Sequence, residues 1–163
     1  EAGNTTPLAH YRALVAGAGL LEGRQKYAGA AVRQRGSSPK LQVLNTALMT
    51  APMGLALEEA RADRELWGRL VESAVGAHLA NAAAAGVCTL FYWRHRNREV
   101  DFVARAGRTL TAIDVKSGRS REIPPGFAAF AAAHRGARTL LVGGDGIAIG
   151  EFLTRPVEHW VRG

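Results

Sequence analysis

Residues 99–118, EVDFVARAGRTLTAIDVKSG, read as two short apolar strands on either side of the tight turn Gly107-Arg108, and that pattern commits the middle of the chain to a sheet. A two-residue connection with glycine first suits a type II′ hairpin. In that register Ala106 faces Thr109, and counting outward brings Asp101 opposite Asp114. Alternation places Asp114 and Lys116 on the face that Asp101 also occupies, with Ile113 and Val115 on the other. Directly opposed residues have Cβ atoms roughly 4.5–5.5 Å apart, where like charges destabilise unless something positive sits between them. The flanks VDFV and AIDVK are too apolar for a solvated rim. Two carboxylates and one ammonium therefore converge. They form either a cradle for a hard divalent cation, Mg²⁺ or Mn²⁺, that activates a water beside a phosphate, or two aspartates that Lys116 simply neutralises.

Around this hairpin the sequence reads as alternating helices and strands. A helix starts at residues 4–6, carries Leu8, Tyr11, Leu14, Val15 and Ala18 on one face, and stops at Gly19. LLEGRQKYAG and PKLQVLN read as short strands around the basic turn RQRGSSP, an arrangement like the second half of a winged helix-turn-helix. Residues 46–61 read as a connecting or helical segment. Asp63 then caps a long helix over residues 63–85, closed by Gly86. Its apolar stripe is Trp67, Leu70, Val71, Ala74, Val75, His78 and Ala82. Glu72 lies at the edge of that stripe, with Gly68 and Gly76 one turn away leaving room around its carboxylate. VCTLFYW is a strand, GFAAFAAAHRG a helix, and RTLLVGG and GIAIGEFL are expected as two closing strands before a tail containing Trp160. The expected fold is α/β, a mixed sheet flanked by helices, with residues 1–60 as a partial winged-helix-like segment and connector and residues 61–163 as the main domain.

The net charge of +7, from 21 Lys+Arg against 14 Asp+Glu, favours a polyanionic partner such as nucleic acid, DNA foremost. The single cysteine, Cys88, lies in an apolar run and reads as a buried structural thiol. His10, His78, His95, His134 and His159 are scattered without metal-ligand spacing, so no zinc site is expected. No apolar run approaches the roughly 20 residues that span a bilayer, and a signal-peptide pattern is missing, so a cytoplasmic location without membrane contact is expected. No Gly-rich phosphate loop ending in Lys-Ser or Lys-Thr occurs, and no ATP site is expected in these residues.

Asp101 with Asp114-Val115-Lys116 resembles the PD-(D/E)XK nuclease superfamily, in which an aspartate ends one strand and a D/E-x-K tripeptide lies on the next. Glu72 in GRLVESAV matches the acid that superfamily members often add from the preceding helix, and Val100 replaces the nominal proline. Over nearly the whole chain, YRALVAGAGLLE, SPKLQVLNTAL, GRLVESAVGAHL, FYWRHRNREVDFV and AIDVKSG, in this order, resemble the C-terminal domain of uncharacterised function that follows the ATPase module in a large group of prokaryotic AAA-type ATPases. Asp114 stands where that family usually has glutamate, and Asn45 where it usually has aspartate. The resemblance implies a restriction-endonuclease-like fold and an N-terminal ATPase module as partner. It also implies a catalytic set of Glu72, Asp101, Asp114 and Lys116, with Mg²⁺ or Mn²⁺ on Asp101 and Asp114, Glu72 assisting through a water and Lys116 orienting the nucleophile.

Arg94, Arg96 and Arg98 in RHRNR, with Arg119 and Arg121 in SGRSRE, are candidate phosphate clamps or, equally, a solvated basic surface. Tyr92 and Trp93 are open to base stacking or to core packing. Three functions follow: a metal-dependent phosphodiesterase, a degenerate nuclease fold that binds nucleic acid or a partner for its ATPase, and a protein-interaction platform.

Overall fold

The computed structural model describes residues 10, 14–28, 38–119 and 122–162. Residues 14–17 are helical and the chain turns at Gly19, as expected; the start of that helix and most of the turn RQRGSSP lie outside the described residues. Strands β1 (Leu21–Lys26) and β2 (Lys40–Val43) are followed by the short helix α1 (Ala47–Thr50), a 3₁₀ turn (Ala51–Met53), α2 (Leu57–Ala62) and the long α3 (Arg64–Ala84). Then come β3 (Thr89–His95), β4 (Arg98–Ala106), β5 (Thr109–Lys116), α4 (Pro125–Ala133), β6 (Arg138–Gly143), α5 (Ile149–Thr154) and α6 (Val157–Val161).

One mixed six-stranded sheet, in the order β2-β1-β3-β4-β5-β6, organises these elements. β1 pairs antiparallel with β2 and parallel with β3, so the sheet takes strands from both sides of residue 60. Helix α4 covers one face, where Phe127 and Phe130 pack on Phe91, Trp93, Val103 and Ala112. On the other, Val75 and Leu79 of α3 and Phe152, Trp160 and Val161 of α5–α6 close over Phe102, Ala104 and Ile113. Among the described residues no helix is long and apolar enough to cross a membrane.

The local chemistry explains most boundaries. The Asp63 side chain accepts from the N–H groups of Glu65 and Leu66, which α3 leaves unpaired at its start. Gly107 has φ +59°, as a II′ turn demands of its first residue, and Ala106 pairs with Thr109. The buried face of α3 is centred on Val75, Gly76 and Leu79; Trp67, Ala74, His78 and Ala82 lie at its margins, so the predicted stripe was displaced around the helix. The expected last strand is not formed. After β6 the chain turns through Gly143 and Gly144, both at positive φ, touches Val142 with Ile147 in a single bridge, and becomes α5. Ile149, Phe152 and Leu153 recur at helical spacing, and over so short an apolar run the two periods are hard to tell apart.

Candidate functional site

At one end of the sheet the start of β4 meets the end of β5. Their backbone ladder ends at Phe102↔Ile113, one residue short of Asp101 on β4 and of Asp114 on β5. Here the strands part. The N–H of Val115 donates to Oδ2 of Asp101 at 3.0 Å, so the carboxylate takes over where backbone pairing between β4 and β5 stops.

A second irregularity coincides with the first. Between Phe91↔Val103 and Trp93↔Val100, the one residue Tyr92 faces both Asp101 and Phe102. Such a bulge breaks alternation and re-aims a side chain: Val100 and Val103 pack in the cluster under α4, Phe102 in the cluster under α3. The carbonyl of Asp101 accepts from Nη1 of Arg24 at 3.0 Å. Arg24, 1% exposed, also donates through Nη2 to Oε1 of Gln42 at 2.8 Å and lies 4.1 Å over the Phe102 ring. Burial lowers its pKa, opposed by the charges of Glu72 and Asp101. Gln42 in turn donates to the carbonyls of Val43 (2.8 Å) and Ser73 (3.3 Å). A chain of contacts thus joins β2, β1 and α3 to the backbone of Asp101.

The acids divide into two groups, each with its own ammonium. Nζ of Lys40 lies 2.9 Å from Glu99 Oε1, 3.2 Å from Glu72 Oε1 and 3.8 Å from Asp101 Oδ1. Nζ of Lys116 lies 2.7 Å from Oδ1 of Asp114, a buried carboxylate. Charge couples the groups. Burial, then the charges of Glu72 and Asp114, push the Asp101 carboxyl up to about 6, against the Val115 N–H and Lys40. For Lys116, burial works against the ammonium, but the bond to Asp114 and the charges of Asp114, Asp101 and Glu72 outweigh it and raise its pKa. Lys40 is raised in the same way, with burial outweighed by Glu72, Glu99 and Asp101.

The expected catalytic residues therefore gather at one end of the sheet, with Glu72 reached through Lys40. Gly76 does not leave room beside Glu72: a Cβ there would meet the Gln42 side chain at 2.5 Å. Among the described residues no three or more His, Cys, Asp or Glu side chains form a ready-made metal cage. Asp101 and Asp114 are neighbouring oxygen donors of the kind a hard divalent cation takes, and the charge of Asp114 adds, after burial and Glu72, to the rise in the Asp101 pKa.

Antiparallel pairing of β3, β4 and β5 brings Arg94, Arg96, Arg98 and Arg119 to the same end of the sheet, all exposed. Arg94 lies 4.0 Å from Glu99, and Arg96 occupies the turn with φ 51°. Arg121 lies outside the described residues. Tyr92 and Trp93 are both buried, and Tyr92 donates to the carbonyl of Ser38, so neither is a stacking platform. Cys88 is buried, and burial first, then the charge of Glu158, raises its thiol pKa, in keeping with a structural role. Sequence reasoning missed Lys40, Arg24 and Gln42. The available signal was faint: Arg24 and Gln42 take the inward positions of strands otherwise half-exposed.

The model of a family described as a domain of unknown function (DUF4143) matches residues 67–148, a span that contains Glu72, Asp101, Asp114 and Lys116. No curated protein and no solved structure matches the chain.

Proposed function

The chain belongs to the family described as a domain of unknown function (DUF4143), and for it we propose metal-dependent hydrolysis of nucleic-acid phosphodiesters by a PD-(D/E)XK-like domain that works with an N-terminal AAA-type ATPase module. One observation carries this reading: Asp101 leaves the ladder to cap Val115 within the Asp114-Val115-Lys116 tripeptide, beside a buried Asp114 bonded by Lys116. Asp101 and Asp114 would hold Mg²⁺ or Mn²⁺, which when bound supplies a Lewis acid and an activated water. Lys116 remains charged at neutral pH, so it acts by placing positive charge beside a phosphate rather than by accepting a proton. Glu72 orients a water from α3. The basic rim of Arg94, Arg96, Arg98 and Arg119 supports a polyanionic substrate, and the winged-helix-like reading of the N-terminal residues belongs to this same proposal.

A second reading is favoured by Lys40. Its ammonium neutralises Glu72, Glu99 and Asp101 without any metal, which suits a catalytically silent fold that binds nucleic acid or a protein for the ATPase.

Side-by-side cleavage and binding assays on DNA and RNA substrates with Mg²⁺ or Mn²⁺ decide between them. The nuclease reading expects Asp101→Asn to abolish cleavage while affinity stays similar or improves, because negative charge near phosphate is lost. Binding without any Asp101-dependent cleavage would leave the silent module.

A further inference from the structure

Between the first turns of α3 and the segment after β5 lies an open cleft of 940 Å³ whose lining includes Glu72 and Lys116. Its other walls carry Arg61, Arg64, Arg69, Arg119 and the indole of Trp67. Arg69 pairs with Glu65 one turn away, and the Arg61 guanidinium lies 5.2 Å over the Trp67 ring. Arg64 and Arg119 form no ion pair with another described residue. Trp67 packs against Ala60, Leu66 and Leu70, yet it stays half-buried and faces the cleft. Unpaired cations beside a part-exposed indole in a concave wall are the elements with which proteins hold unpaired nucleotides. A duplex keeps its base faces covered by neighbouring bases, whereas a single strand can offer one to an indole.

We propose that this cleft binds single-stranded nucleic acid, with Arg64 and Arg119 on its phosphates and a base stacked at Trp67, leading the strand to Lys116. The inference rests on the nucleic-acid reading above and adds the substrate's form. Arg61 is exposed and free to leave the ring for a phosphate as a base arrives.

The chain has three tryptophans, and Trp93 and Trp160 are only 5% and 7% exposed, so quenching of tryptophan fluorescence by an oligonucleotide reports on Trp67. Oligo-dT, oligo-rU and a duplex of equal length are titrated without divalent metal. A single strand is expected to quench and to bind more tightly than the duplex. The quench is expected to vanish in Trp67→Phe with the circular dichroism unchanged, and the surface double variant Arg64→Ala/Arg119→Ala, which tests the proposal without touching Trp67, to lose affinity about tenfold with a shallower salt dependence. Tighter duplex binding, undiminished quenching in Trp67→Phe, or unchanged affinity in the double arginine variant would overturn it. Metal-dependent cleavage without quenching would remove the cleft proposal alone. Quenching without Asp101-dependent cleavage would remove the nuclease reading and leave the cleft.

Discussion

The side chain of Gln42 fills the space opposite Gly76, so closely that a Cβ on that glycine would fall 2.5 Å from both Cδ and Oε1 of Gln42. The contact locks β2 against the middle of α3, and it keeps Gln42 where it can accept from Arg24.

Gly76→Ala is expected to destabilise the protein by about 1–3 kcal/mol, because Gln42 must move and the buried Arg24 loses a partner. Urea denaturation measures this. In a Gly76→Ala/Gln42→Ala cycle the two costs are expected to fall short of additivity, since the smaller residue at 42 makes room; strict additivity would show that the two side chains do not compete for the same space.

Stability is expected to fall as pH rises from about 4 to about 6. Asp101 in the unfolded chain loses its proton near the ordinary value of 3.8, whereas in the fold it keeps it until about 6. The folded state therefore binds more protons across this window, which is the condition for stability to decline with rising pH. The loss is complete above about pH 6 and amounts to at most about 3 kcal/mol. Asp101→Asn still accepts from Val115 but carries no charge, so its profile is expected to be flatter and its melting temperature at neutral pH higher than the parent's. Parallel pH profiles for the two proteins would contradict the origin assigned to the shift.

Much of this site was legible in the sequence because it depends on local register. The Gly107-Arg108 turn and the Asp63 cap each follow from residues within a few positions of one another, and the register counted outward from the turn runs up to Phe102 and Ile113, next to Asp101 and Asp114. Lys40 was not legible: it lies 59 residues from Glu99, with which it bonds, and no periodicity links the two. The bulge at Asp101 was equally hidden, since an extra residue inside an apolar strand leaves the alternating pattern ambiguous. Strand identity over residues 146–153 failed for a different reason, because apolar residues spaced two, three and four apart satisfy both periods.

Lys40→Met is expected to tighten Mn²⁺ binding by roughly tenfold or more, since it removes an ammonium that competes for Glu72 and Asp101 at an effective dielectric well below that of water. Calorimetry or the electron spin resonance of free Mn²⁺ measures the affinity. Equal affinity in parent and variant would show that the ammonium and the metal do not share these oxygens.

Lys116→Met is expected to remove metal-dependent cleavage and to cost about 1–3 kcal/mol of stability, because the buried Asp114 loses its cation. Lys116→Arg, which keeps the charge, is expected to restore most of the stability and only part of the turnover. Full turnover in the methionine variant, measured with the same substrates, would deny the lysine a role in the chemistry.

The parallel join of β1 to β3 covers only Gln25↔Phe91 and Lys26↔Tyr92, whereas β3 to β6 are laddered along most of their length. In amide hydrogen exchange β1 and β2, held to the rest by this short join and by the packing of Gln42 on α3, are therefore a flap expected to open before the four-stranded block. Amides of residues 21–26 and 40–43 are expected to exchange through an opening that leaves the block closed, and each opening carries Arg24 and Lys40 away from Asp101. The acid cluster is thus complete only while the flap is shut.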